Sequence, residues 1–188
     1  MLSDIIHLIA ETIGGVFASA LLLRAYMQWL RLSPRNPLSE FVMALTNRIV
    51  LPLRRLIPGF GGIDWASLVA AYLTTLATLM LILVAGGAWN SALATPMVVL
   101  GLSLVWLVKW TLYLVIVLTL LYAVLSWLNP YAPIAPVLSV LVNPLLSPLQ
   151  RILPRIGNID LSPLALLLLV QILLLLLDRA SRATLGAY

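Results

Sequence analysis

Along the chain, long apolar stretches alternate with shorter segments in which polar and apolar residues mix. Four stretches approach the roughly 20 apolar residues that a membrane-spanning helix needs: about Ile5–Leu30, Trp65–Val84, Val105–Leu128 and Leu161–Leu177. In the mixed segment after the first stretch, Phe41, Val42, Leu45 and Ile49 fall on one helical face, with Thr46, Asn47 and Arg48 elsewhere. After the third, Ile134, Val137, Leu138, Leu141 and Leu145 repeat the stripe. Helices this short do not span, so they are expected to lie at the interface or tuck against the bundle. The pattern predicts an all-α, polytopic membrane protein.

The two mixed segments are also copies of each other. Leu45 to Asp64 matches Leu141 to Asp160 at a constant offset of 96, with Leu45, Asn47, Pro52, Leu53, Arg55, Pro58, Gly61, Ile63 and Asp64 all recurring. Upstream the offset becomes 98, where Leu22-Leu23, Ala25 and Trp29-Leu30 match Leu120-Leu121, Ala123 and Trp127-Leu128. Prolines, glycines and charges coincide as well as leucines, so a duplicated unit is expected. One copy occupies about 1–90 and the other 91–188. Each reads as spanning helix, amphipathic helix, Pro-bounded Arg turn, Gly-x-Ile-Asp turn and spanning helix. Two spans per unit give both copies one orientation, which predicts parallel repeats about an axis along the membrane normal. Re-entrant amphipathic segments would leave that parity unchanged.

Composition narrows the class. Of 188 residues, 63% are hydrophobic and only 9% charged, where a soluble domain carries about a quarter charged, so lipid is the expected solvent. The net charge is +5, but the basic residues are interleaved with apolar stretches and form no nucleic-acid-binding run. Direct binding to nucleic acid is not expected. Cysteine is absent, which excludes disulfides, thiolate metal sites and thiol nucleophiles. Ala18-Ser19-Ala20 has the small residues of a signal-peptidase site, yet Asp4 and Glu11 precede it without any Lys or Arg, and the apolar run continues to Trp29. A retained helix is expected. Arg31, Arg35, Arg48, Arg54, Arg55, Arg151 and Arg155 lie in the two inter-helix segments, whereas Ala85–Thr95 carries no charge. The positive-inside bias then puts both motif segments in the cytoplasm, with Arg179 and Arg182 opposing it.

Candidate chemistry follows the motifs. Pro52-Leu53-Arg54-Arg55-Leu56-Ile57-Pro58 and Pro148-Leu149-Gln150-Arg151-Ile152-Leu153-Pro154 are bounded by prolines, which should limit helix there to about one turn. Arg54, Arg55, Arg151 and Arg155 can reach headgroup phosphates while the leucines enter the acyl region. They are either interfacial anchors or a docking site for a partner protein or an anionic lipid. Asp64 and Asp160 stand where N-caps belong; a shared cation site is the other reading, and neither has a second carboxylate within a helical turn.

Glu11 and Lys109 align at the 98 offset and lie at similar depth. Either both sit near the outer boundary, where Trp106, Trp110 and Tyr113 resemble an aromatic belt, or they form a buried pair in a polar pathway. His7 and Glu11 share one helical face, and Arg24 can snorkel toward Trp29. No nucleophile surrounds the lone histidine, and no phosphate loop, ion filter, metal set or cofactor site is legible. A non-enzyme is expected.

The duplicated motif, Asn47-x4-Pro52-Leu53-Arg54-Arg55-x2-Pro58-x2-Gly61-x-Ile63-Asp64, resembles the YggT family of bacterial membrane proteins and its plastid YlmG relatives. In the second copy Gln150 replaces the first arginine and Asn158 a glycine. The resemblance implies the bacterial cytoplasmic (inner) membrane, a multi-pass topology, and a link to osmotic-stress tolerance and ion homeostasis or to cell division. Plastid relatives imply instead an assembly role for membrane complexes. It brings no catalytic residues. The candidate partners are anionic lipid headgroups, other membrane proteins and a second copy of the chain. Transport would need Glu11, Lys109, Arg24, His7 and Gln171 to converge; a scaffold would not.

Overall fold

A computed structural model describes residues 2–87, 95–129, 131–152 and 160–185. Among them it contains six helices: α1 Leu2–Trp29, α2 Pro37–Leu56, α3 Trp65–Ala85, α4 Pro96–Leu128, α5 Ala135–Ile152 and α6 Ser162–Leu185. α1, α3, α4 and α6 are long and apolar enough to cross a membrane. Each run of three goes long, short, long. α4 starts at Pro96 rather than Val105, because Thr95-Pro96 supplies an N-terminal proline and nothing from Met97 to Leu104 interrupts the helix. Its 33 residues measure about 50 Å, more than a bilayer core requires. α6 likewise continues past Leu177 through Asp178 and Arg182.

α1 and α3 meet through small side chains. Ala18, Ala66, Ala70 and Ala71 are all fully or nearly fully buried, and Gly14 lies directly against Thr78. In lipid, close backbone approach of this kind replaces the hydrophobic drive that holds helices together in water. A second contact joins the two runs of helices: Leu23 and Met27 of α1, Val42 of α2, Leu118 of α4, Leu138, Leu141 and Leu146 of α5, and Val170 of α6 form one apolar cluster. The outer faces of the long helices keep large apolar side chains exposed, among them Leu168, Ile172 and Leu176 of α6, as a lipid-facing surface should.

Two features differ from the sequence reading. The Pro-Arg segment is not a separate turn: α2 runs through Pro52 to Leu56, and α5 runs through Pro144 and Pro148 to Ile152. An interior proline costs about 3 kcal/mol. Val50 is fully buried, Arg54 bonds to Asp64 and Ile57 N–H closes on the Leu53 carbonyl; these tertiary ties hold the last turn helical.

The second difference is the face of α2. Ser39, Val42, Thr46 and Val50 are buried, while Phe41, Leu45 and Ile49 of the apolar stripe are exposed. Val42 of that stripe turns inward with Val50, and lipid can solvate the other three; the inward face also carries Ser39 and Thr46, and the Thr46 hydroxyl accepts from the buried Arg24. α5 has no such arginine to serve, and it buries Leu138 and Leu141 of its apolar stripe.

Candidate functional site

The buried face of α2 looks onto a cluster centred on Asp64. Gly61 and Gly62 adopt positive φ (65° and 79°), a conformation that glycine enters without penalty, and the turn they make delivers Asp64 to the start of α3. There its side chain caps the helix, accepting from the Ser67 amide at 3.2 Å and the Ser67 hydroxyl at 2.8 Å. The carboxylate is wholly buried (0% exposed). It also accepts from Arg54 Nη2, and Arg24 Nε lies 3.6 Å away.

Arg24 is the centre of the rest of the network. Its Nη1 donates to Thr46 Oγ1 at 2.7 Å and to Asn47 Oδ1 at 2.8 Å, and Arg54 Nη2 donates to Gln28 Oε1 at 2.8 Å. Two guanidinium groups thus surround one carboxylate, leaving one positive charge in excess. Arg24 does not snorkel toward Trp29. It is 7% exposed and finds its partners inside the bundle, on α2 and at the start of α3.

The second copy holds a milder version. Gln150 Nε2 donates to Asp160 Oδ2 at 2.8 Å, and Asp160 Oδ1 accepts from the Ser162 amide at 2.9 Å. By the sequence offsets, Tyr122 stands where Arg24 does and Val142 where Thr46 does. Asp160 is half-buried, so its carboxylate asks less compensation than the fully buried Asp64.

The remaining candidates lie apart from this cluster. Arg55 and Arg151 are exposed, and Arg155 lies outside the described residues. Glu11 and Lys109 are not brought together. Glu11 pairs with His7 at 3.5 Å on its own helix, and Lys109 Nζ bonds Asp178 Oδ1 at 2.8 Å, tying α4 to α6. The sequence reading missed Asp178 because it ended the last span at Leu177, one residue short. Gln171 is exposed. Thr46, Asn47, Gln28 and Ser67 were missed as site residues, although the recurrence of Asn47 as Asn143 was a signal. Among the described residues, no three metal-ligating side chains converge.

The Lys109–Asp178 pair is partly exposed (side chains 26% and 39%), and such pairs contribute about 0–1 kcal/mol. Lys109→Met and Asp178→Asn are each expected to lower the unfolding midpoint in detergent only slightly, by no more than about 1 kcal/mol. A loss several times larger would show that the pair is the main tie between α4 and α6.

The family model for CCB3/YggT matches residues 3–85 and 101–180. The chain belongs to the CCB3/YggT family. It is 36% identical over 168 residues to the YggT protein of Escherichia coli (strain K12), covering 87% of this chain and 84% of the relative. A Pseudomonas aeruginosa protein is 34% identical over 175 residues (88% and 84%), and a Vibrio alginolyticus protein 35% over 163 (86% of each). No solved structure matches the chain. The matched segments include the Asp64 and Asp160 clusters in full, so both sites lie within the family's region.

Proposed function

We propose that this chain is a non-enzymatic scaffold or assembly factor of the bacterial inner membrane, built as two parallel units. On this reading it influences osmotic tolerance and ion balance by acting on other membrane proteins rather than by conducting ions. Two matched segments, each holding one long–short–long run, support the two-unit arrangement. Arginine-rich motif segments support a cytoplasmic working face.

The observation that carries the reading is how far apart the charges of the long helices lie. Arg24 and Arg54 are held by Asp64 at the motif end, and Lys109 is held by Asp178 near the other. Thirteen residues of α1, about 20 Å, separate Arg24 from Glu11. Over that interval α1 and α3 are sealed by Gly14, Ala18, Ala70 and Ala71. The Thr75 and Thr78 hydroxyls donate to carbonyls of their own helix, and both residues are buried, so they are not turned to an aqueous path.

Liposomes containing only this protein test the reading. Potassium, sodium and proton fluxes are expected to equal those of empty liposomes. A flux that rises with protein content would overturn it and restore the transport reading.

A further inference from the structure

A cleft of about 300 Å³ opens between the end of α1 and the start of α2, at the small end of the range for ligand sites. Arg24, Gln28, Arg31, Ser39 and Arg54 supply its polar lining, and Met27, Leu32, Pro34 and Met43 the remainder. Among the described residues, no acidic side chain lines it. Asp64, the carboxylate of the cluster, is fully buried, and Glu40 is exposed outside the lining. Two arginines sharing one carboxylate leave a positive charge, to which Arg31 adds another.

Arg31 provides an independent observation. It ends α1 with φ 54°, as a non-glycine residue in left-handed backbone. Its amide bonds the Gln28 carbonyl and the Leu32 amide bonds the Met27 carbonyl, both at 3.0 Å, the geometry of a Schellman ending in which glycine is the usual residue. Gly-like backbone carrying arginine is a local departure of the kind that clusters at ligand sites. The Arg31 side chain makes no bond to any described residue, and it lines the cleft.

We propose that this cleft binds a phosphate group through Arg31, Arg54 and Arg24, with Gln28 and Ser39 as neutral donors. Guanidinium pairs suit phosphate oxygens because their planar forks match them. The site holds whether or not the protein conducts ions. A lipid headgroup and free phosphate present the same chemistry. The exposed Phe41 and Leu45 on the outer side of α2 give acyl chains a surface beside the cleft.

The test uses the full-length protein in detergent, with native mass spectrometry after adding phosphatidylglycerol or phosphatidylcholine, and thermal unfolding with inorganic phosphate. Phosphatidylglycerol is expected to be retained over phosphatidylcholine. Arg31→Gly should lower that retention roughly tenfold while leaving the unfolding midpoint unchanged or raising it, since glycine suits the backbone. Arg31→Asn, which also tolerates left-handed backbone, should lose retention equally and serves if the glycine variant is poorly folded. Arg48→Gln removes one exposed charge from α2 outside the cleft and should retain the lipid as wild type does. Stabilisation by inorganic phosphate that vanishes in Arg31→Gly would support the same site with free phosphate as its ligand. Unchanged retention in both Arg31 variants, with no effect of phosphate, would overturn the proposal. So would an equal loss in Arg48→Gln, which would reduce the effect to diffuse surface charge.

Discussion

Asp64→Asn is expected to destabilise the protein far more than Asp160→Asn, although the two aspartates occupy the same place in a repeated motif. Asparagine caps helices about as well as aspartate, so the substitution can keep the bond from the Ser67 amide, but it removes the charge and turns one acceptor oxygen into an NH2 donor. In the first copy, that charge is the counter-ion of Arg24, which is 7% exposed, and of Arg54. Arg24 would then be buried with neutral partners alone, Thr46 and Asn47. Breaking a buried pair by removing one partner costs about 3–5 kcal/mol. Around Asp160, the described bonds come from the Ser162 amide and the Gln150 amide; an asparagine oxygen keeps the first, and Gln150 can turn its amide so that its own oxygen accepts from the new NH2, so the loss from these bonds should stay under about 1 kcal/mol. Thermal unfolding of the two variants in detergent, followed by size-exclusion fluorescence, measures the difference. Equal losses would mean that Arg24 draws its stability from elsewhere.

This contrast explains what the sequence disclosed and what it hid. Helices α1, α3 and α6 were legible because nothing in a run such as Leu164 to Leu177 competes with a span, and the motif located α2 and α5. The Asp64 cap was legible because its cause is local, lying in the turn and the three residues that follow. Arg24 was not, because its partners come from α2 and α3, 22 to 40 positions away. Its depth alone suggested an easier escape to the interface. The buried face of α2 was hidden for a related reason. Hydrophobic periodicity identifies the core side of a helix only when water is on the other side, and beside lipid a face that mixes Ser39 and Thr46 with Val42 and Val50 can be the inner one. Pro52 misled in the opposite direction, since a local rule against helix yielded to the Arg54–Asp64 contact ten residues on.

Gly14→Leu is expected to cost the most of any apolar substitution in α1, and Gly101→Ala to gain. An ideal Cβ on Gly14 would come within 2.1 Å of Thr78 Oγ1, 2.8 Å of its Cγ2 and 3.0 Å of its Cβ. Thr78 is β-branched, so no rotamer clears both substituents, and its hydroxyl is bonded to the Thr74 carbonyl at 2.9 Å. A leucine at residue 14 must therefore push α1 and α3 apart along the seam of Ala18, Ala70 and Ala71. Overpacking of a well-filled core costs about 1–3 kcal/mol, occasionally more, and leucine here belongs at the upper end. Gly101 has nothing within 4 Å of the same position, so alanine there adds no clash and relieves the helical penalty of glycine, up to about 1 kcal/mol. Opposite shifts of the unfolding midpoint in the two variants would establish that the α1–α3 contact is set by backbone approach. A Gly14→Leu protein as stable as wild type would show that the seam can open, and it would remove the main physical objection to a path between the two helices.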